Sequence, residues 1–268
     1  MLLTQQSMGW KLKSTLYFIT GAIASFLALP IFFIVALSFG SSQWLVFPPP
    51  HWTTKWYERF FENPQWIESA LTSLQVALIT SILATLIALP ASFALVRGKF
   101  AGRDYLYSLF TLPMIVPVVI IAVATYSMFL SLGLTGTLVA FIISHVIVAL
   151  PFAIISIINS LKLFDKSIED AAVICGANRL YAIFKVTFPA IKPGIFSGAL
   201  FAFLVSWDEV VISVMMASPE LQTLPVKMWS TLRQDLTPVI AVASTLLILL
   251  SILIMLVSNT LQKRSQQA

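Results

Sequence analysis

YLYSLFTLPMIVPVVIIAVATYSMFLSLGLTGTLVAFIISHVIVALPFAIISIINSL, residues 105–161, is a run of 57 residues without Asp, Glu, Lys or Arg, closed by Asp104 and Lys162. One bilayer crossing takes about 20 apolar residues in a helix, so this run is too long for one span and fits two. The Ser131-Leu132-Gly133-Leu134-Thr135-Gly136 stretch supplies the turn between them. The reading gives spans over about 105–130 and 137–160, and makes the chain an all-α, multi-pass membrane protein.

The same reading extends in both directions. Charge-free windows predict further spans over about 14–39, 69–96 and 237–261, and an apolar run broken only by Asp208 and Glu209 predicts one over about 193–217, six in total, inside a membrane domain of 14–262. Of the 268 residues, 59% are hydrophobic and 10% charged, and the mean hydropathy is +0.94. That balance excludes a soluble domain, and the continuous apolar runs exclude alternating barrel strands. The first span, behind Lys11 and Lys13, is longer than the apolar core of a cleaved signal peptide and reads as an uncleaved span. Pro113 and Pro117 make the third span the one expected to bend.

Orientation follows from counting cations. The 1–13 tail, the 97–104 loop, the 161–192 segment and the 263–268 tail carry twelve Lys and Arg, against four on the other side. Both termini are therefore expected in the cytoplasm. The basic sequence pI of about 9.4 reflects this asymmetry and not a nucleic-acid partner. On the outer side, Trp56, Tyr57, Phe60 and Phe61 predict an amphipathic helix with Glu58, Arg59 and Glu62 toward water. It either anchors the protein at the interface or docks an external partner.

Chemistry-bearing constellations are absent: there is no Gly-rich phosphate loop, no GxSxG and no HExxH. Cys175 is the sole cysteine and the two histidines lie far apart, so no metal site and no cofactor are expected. His145, within the fourth span, either bonds a neighbouring helix or relays protons.

Two polar features interrupt the apolar pattern. The first is KLFDKSIEDAAVICGANRLYAIFKVTFPAIK, residues 162–192. Ser167 is expected to cap a helix with Glu169 and Asp170 in its first turn. Ile168, Ala171, Ala172 and Cys175 form an apolar face, and Gly176 stops the helix. A second short helix, about 179–187, ends at Pro189 and Pro193. Such a helix–turn–helix either docks a partner or folds back on its own spans. The second feature is Asp208-Glu209, within GIFSGALFAFLVSWDEVVISVMMA, residues 194–217. A carboxylate at bilayer depth costs about 2.5–3.5 kcal/mol, so the pair needs a function or a partner. Neighbours on a helix point about 100° apart, so the two cannot share one role.

Asp170-Ala171-Ala172, Gly176 and Pro189 have the spacing of the EAA loop of ABC-importer permeases, at the expected place before the penultimate span. Asp170, Val186 and Phe188 stand where that pattern has Glu, Ile and Leu. The resemblance covers roughly residues 50–262. Thr53–Tyr57, Trp207–Val211 and Thr223–Met228 resemble the spermidine/putrescine permeases of this group, whose relatives import opines, ferric iron or aminoethylphosphonate.

The resemblance implies a non-catalytic subunit of the bacterial cytoplasmic (inner) membrane. Its implied partners are a second permease, a cytoplasmic ATPase dimer that binds the ATP, and an extracytoplasmic solute-binding protein. Glu169, Asp170, Ala171, Ala172, Gly176 and Pro189 would form the coupling helix and its surroundings. Trp207, Asp208 and Glu209 are substrate-path candidates, with Asp208 facing the cavity. Leu224, Pro225 and Lys227 are candidates for the external mouth. A proton-coupled secondary transporter is the competing class.

Overall fold

The computed structural model describes residues 9–267, so residues 1–8 of the expected N-terminal tail and Ala268 lie outside the described residues. Among the described residues the fold is helical, and its β structure is a single antiparallel bridge between Gly40 and Trp52. In chain order the helices are α1 (Trp10–Ser38), α2 (Lys55–Glu62), α3 (Pro64–Arg97), α4 (Arg103–Thr111), α5 (Val118–Ser131) and α6 (Leu138–Leu163). They continue with α7 (Lys166–Ile174), α8 (Arg179–Ala182), α9 (Phe188–Trp207), α10 (Val211–Met216), α11 (Leu224–Gln234) and α12 (Val239–Gln267). Five helices are long and apolar enough to cross a membrane, or six when a bent pair is counted as one span.

The chain divides into two compact units. Among the described residues, the first comprises 9–62 and 231–248. Its α1 is apolar and exposed along most of its length. The turn after α1 is pinned by Thr53 N–H to Phe39 O (2.8 Å) and Ser41 N–H to His51 O (2.9 Å). The Trp56 indole N–H donates to Gly40 O at 2.7 Å, and Ser38 and Tyr57 share a hydroxyl hydrogen bond of 2.8 Å. In α2, Trp56 and Phe60 are buried, while Glu58, Arg59, Phe61 and Glu62 are exposed. Period-3.6 amphipathicity thus forms as the sequence predicts, apart from the exposed Phe61.

The second unit comprises the described residues 63–230 and 249–267 and is organised around α3, α6 and α9. Small residues let these helices approach closely: Ala84 and Ala88 on α3, Ala149 and Ala153 on α6, and Ala202 on α9 are fully buried. A Cβ on Gly198 would lie 3.0 Å from Ala153 O, and one on Gly194 would collide with Ser160. Hydroxyls bridge the same contacts, Ser81 Oγ donating to Ala199 O (2.6 Å) and Ser156 Oγ to Gly194 O (3.0 Å). Close backbone approach and interhelical hydrogen bonds are what hold helices together where lipid offers no hydrophobic drive.

Three expected elements differ in shape. The 105–130 span is two helical segments bent by 99°, Arg103–Met114 and Val118–Ser131. The cause is local: Pro113 and Pro117 lack N–H donors, and Val116 precedes a proline and so is driven off the helical conformation. The second helix of the 162–192 segment does not end at Pro189 and Pro193, because Arg179–Trp207 runs as one long helix. A π turn, Ile183–Thr187, accommodates the entry to Pro189, with Phe188 N–H reaching Ile183 O. The 193–217 span is interrupted instead at 208–210, between α9 and α10.

Candidate functional site

In the 162–192 segment the cap of α7 is Asp165, not Ser167: Asp165 Oδ1 accepts from the Ser167 N–H at 2.9 Å. Those Ser167 contacts hold the Asp165 carboxyl below its ordinary range. Three residues into α7 the chain turns Glu169 inward, where it is buried. Arg97, at the end of α3, and Thr187, in the π turn, both donate to Glu169 Oε2. The Arg97 guanidinium lies 5.0 Å from the Phe93 ring centroid and 6.0 Å from that of Phe164, which fixes its orientation. Burial pushes the Glu169 carboxyl up, but the Thr187 hydroxyl and the Arg97 bond and charge, with Lys166 beyond, outweigh it. The net shift is downward, so Glu169 is a carboxylate at neutral pH.

Glu169 therefore does not belong to an outward docking face, as its place in the helix suggested. It is an internal latch joining α3, α7 and the root of α9. The other residues of the motif do face outward. Asp170 and Ala171 are exposed, Ala172 is half-buried, and Asp170 contacts Lys166 at 4.0 Å. Around them Ile168, Ile174 (86% exposed), Leu180 and Phe184 stand open. Gly176, at φ +98°, ends the helix, with Ala177 N–H returning to Ala172 O at 3.1 Å. Pro189 is exposed at the start of α9.

The acidic pair lies in the break between α9 and α10, so the 100° helical argument does not apply to it. Glu209 Oε1 accepts from the N–H groups of Val211 (2.8 Å) and Ile212 (3.0 Å), capping α10. Asp208 is exposed, and among the described residues its carboxylate has no hydrogen bond or ion pair. Trp207 is buried and stacked on Phe203 (centroids 5.8 Å, 17°), so its ring face is not open to a solute. The break is stapled by His145 of α6, which is fully buried. Its Nδ1 bonds Ser206 Oγ at 2.8 Å and its Nε2 bonds Ser213 Oγ at 2.9 Å, one partner on each side of the break. Ser144 Oγ and Trp207 Nε1, close by in sequence, are buried without a hydrogen-bond partner.

At the third candidate position, Leu224 and Pro225 are buried rather than open to a mouth, and Leu224 N–H donates to Ser73 Oγ at 2.7 Å. Lys227 bonds Gln65 Oε1 at 2.6 Å and borders a cavity of about 180 Å³ that Glu68 and Glu220 also line. The sequence reading missed Thr187, Ser206 and Ser213, and saw Arg97 only as a cytoplasmic charge. The seven-residue spacing of Ser206 and Ser213 was the one available signal, and the break between them removes its helical meaning.

Residues 84–268 match the family model described as binding-protein-dependent transport system inner membrane component. The spermidine/putrescine transport system permease protein of Escherichia coli K12 is 28% identical over 245 residues, which cover 90% of this chain and 91% of that protein. The putrescine transport system permease protein of the same strain is 31% identical over 232 residues, or 84% and 82% of the two chains. In fold, the chain is similar to a bacterial alginate ABC transporter solved in complex with an alginate pentasaccharide-bound periplasmic protein. That likeness has a TM-score of 0.71 at 17% identity and covers 95% of this chain and 94% of that one.

Proposed function

We propose a role that starts from a family assignment: the chain belongs to the binding-protein-dependent transport system inner membrane components, and it imports di- or polyamines as one of two permeases driven by an ATPase dimer. That it is the permease component of an ABC importer follows from the family; the solute and the assembly are our reading. The observation that carries the solute class is Asp208, a carboxylate without a partner among the described residues, in the break between the mostly apolar helices α9 and α10. Glu209 is committed to the backbone, so one negative charge remains to meet a passing ammonium. Relatives named for spermidine and putrescine support the same class.

In this reading the termini are cytoplasmic and the outer face of α7 enters a cleft of the ATPase. A displacement of α7 passes through Glu169 to Arg97 on α3 and to Thr187 at the root of α9. The break at 208–210 then yields, and Asp208 changes its exposure between inward-open and outward-open states. A periplasmic binding protein delivers the solute from the opposite side.

The test is uptake of labelled putrescine, spermidine, an opine and aminoethylphosphonate in a strain lacking its own systems. We expect amine uptake to depend on ATP and to survive loss of the proton gradient. Asp208→Asn is expected to lower amine uptake about fivefold, the worth of about 1 kcal/mol of charge interaction, whereas Glu209→Gln acts mainly on stability. Uptake of the opine or phosphonate with no amine uptake would overturn the solute assignment.

The docking face carries its own prediction. At φ +98° any side chain at Gly176 strains the turn, by about 1 kcal/mol for a single residue. Gly176→Ala should therefore weaken ATPase co-purification modestly, while Gly176→Asp, adding charge to the apolar face, should abolish it with the spans intact. Equal retention of the ATPase by both variants would contradict the docking assignment.

A further inference from the structure

A cavity of about 250 Å³ opens where two spanning helices, α3 and α6, reach their ends. Leu95 and Val96 from the last turn of α3, with Ile158 of α6, form an apolar wall. Arg103 and Tyr107 of α4, with Lys162 at the end of α6, form the rest of the rim. A groove of about 290 Å³ adjoins it along the 98–105 loop and brings in Lys99 and Phe100. One carboxylate shares the site: Asp104, itself exposed, lies 3.6 Å from Arg103 Nε. The Lys99 and Lys162 ammonium groups have no partner among the described residues.

The surroundings select the occupant. No residue of α4 is buried, and Tyr105, Leu109 and Leu112 stand exposed on it and on the turn that follows. Of the helices that line the cavity, α3 and α6 are long and apolar enough to span a membrane, and both end beside it, at Arg97 and Leu163. The cations thus sit where two apolar spans end, with Tyr107 and Tyr105 of α4 beside them. A free phosphate or a nucleotide would meet the cations but leave the apolar wall unused. An amphiphile with an anionic phosphate head uses both.

We propose that the cavity between the ends of α3 and α6 and the start of α4 binds an anionic phospholipid, its phosphate held by Arg103 and Lys162 and its glycerol backbone against Leu95, Val96 and Ile158. The proposal rests on the membrane orientation given above only for the leaflet, which it assigns as cytoplasmic. Each basic residue near an anionic surface is worth about fivefold in binding, so removing two should cost on the order of twentyfold.

The experiment uses the assembled transporter purified in detergent and titrated with phosphatidylglycerol or phosphatidylcholine, with retained lipid read by native mass spectrometry. We expect phosphatidylglycerol to be retained in preference to phosphatidylcholine, and the Arg103→Gln/Lys162→Gln pair to lose that preference. The charge-preserving Arg103→Lys/Lys162→Arg pair should keep it, which separates charge from folding. Unchanged retention in the neutral pair, displacement of the lipid by millimolar inorganic phosphate, or loss of the ATPase in place of the lipid would each overturn the proposal. Failure here leaves amine uptake unaltered, whereas failure of the importer reading leaves lipid retention unaltered, so the two are distinguishable.

Discussion

Glu169→Ala is expected to reduce ATP-driven uptake at least about tenfold while the protein still inserts in normal amount, because the lost carboxylate is the acceptor that joins Arg97 to Thr187. Removing one partner of a buried ion pair costs about 3–5 kcal/mol, and the Arg97 side chain, 19% exposed, recovers part of this from water, leaving about 1–3 kcal/mol. The rings of Phe93 and Phe164 keep the guanidinium in place, so the loss falls on the linkage rather than on the end of α3. ATP hydrolysis by the assembled complex should persist, uncoupled from uptake. Glu169→Gln retains an acceptor for Thr187 and should fall between the two. Parallel loss of hydrolysis and uptake with a normal ratio would refute the latch.

The latch also has a pH signature. The Glu169 carboxyl is held below its ordinary value, so its contribution is complete above the usual carboxylate range. That contribution disappears only as pH falls through the depressed value. Coupling of hydrolysis to uptake in vesicles should accordingly be flat from pH 8 to about pH 5 and fail below the ordinary glutamate range near 4.5. A loss centred near neutrality would point to a different group.

His145→Leu carries the second large effect. The imidazole is fully enclosed and satisfies Ser206 and Ser213 across the break. Its removal frees two buried hydroxyls, each able to turn back to a carbonyl of its own helix, so the penalty is about 1–3 kcal/mol. The α9–α10 register at Asp208 loosens with it, and uptake should drop along with the midpoint of thermal unfolding. The serines provide the control: Ser206→Ala/Ser213→Ala in the His145→Leu background should cost little more than His145→Leu alone. Additive losses from the three changes would show that they do not act as one staple.

Much of the fold was legible because its signals are local. Charge-free runs gave the apolar segments, and the two prolines four apart located the sharp bend. The close approach at Gly194 and Gly198 had a signal in their GxxxG spacing, which the sequence reading did not use. The hydroxyl bridges of Ser81 and Ser156, by contrast, are pairings across helices that no pattern within one segment announces. The same holds for the site. The outward face of α7 was readable from Ala171, Ala172 and Gly176, but the inward turn of Glu169 depends on Arg97, 72 residues away. The Asp208-Glu209 pair was correctly seen as an anomaly. Its division of labour was reached by a helical argument that fails, since the helix stops at Trp207 and Glu209 caps the next one. Trp207 shows the same limit: its place beside the two carboxylates made it a substrate-path candidate, and stacking on Phe203 covers its ring face.

The central claim is that α7 presents its outer face to a cytoplasmic ATPase, and the protein carries its own probe for it. Cys175 is the sole cysteine and is exposed at the end of α7. A membrane-impermeant maleimide should label it in inside-out vesicles stripped of the ATPase, and not in right-side-out vesicles. Adding back the ATPase should protect it. Labelling from the outside, or labelling undiminished by bound ATPase, would contradict the account.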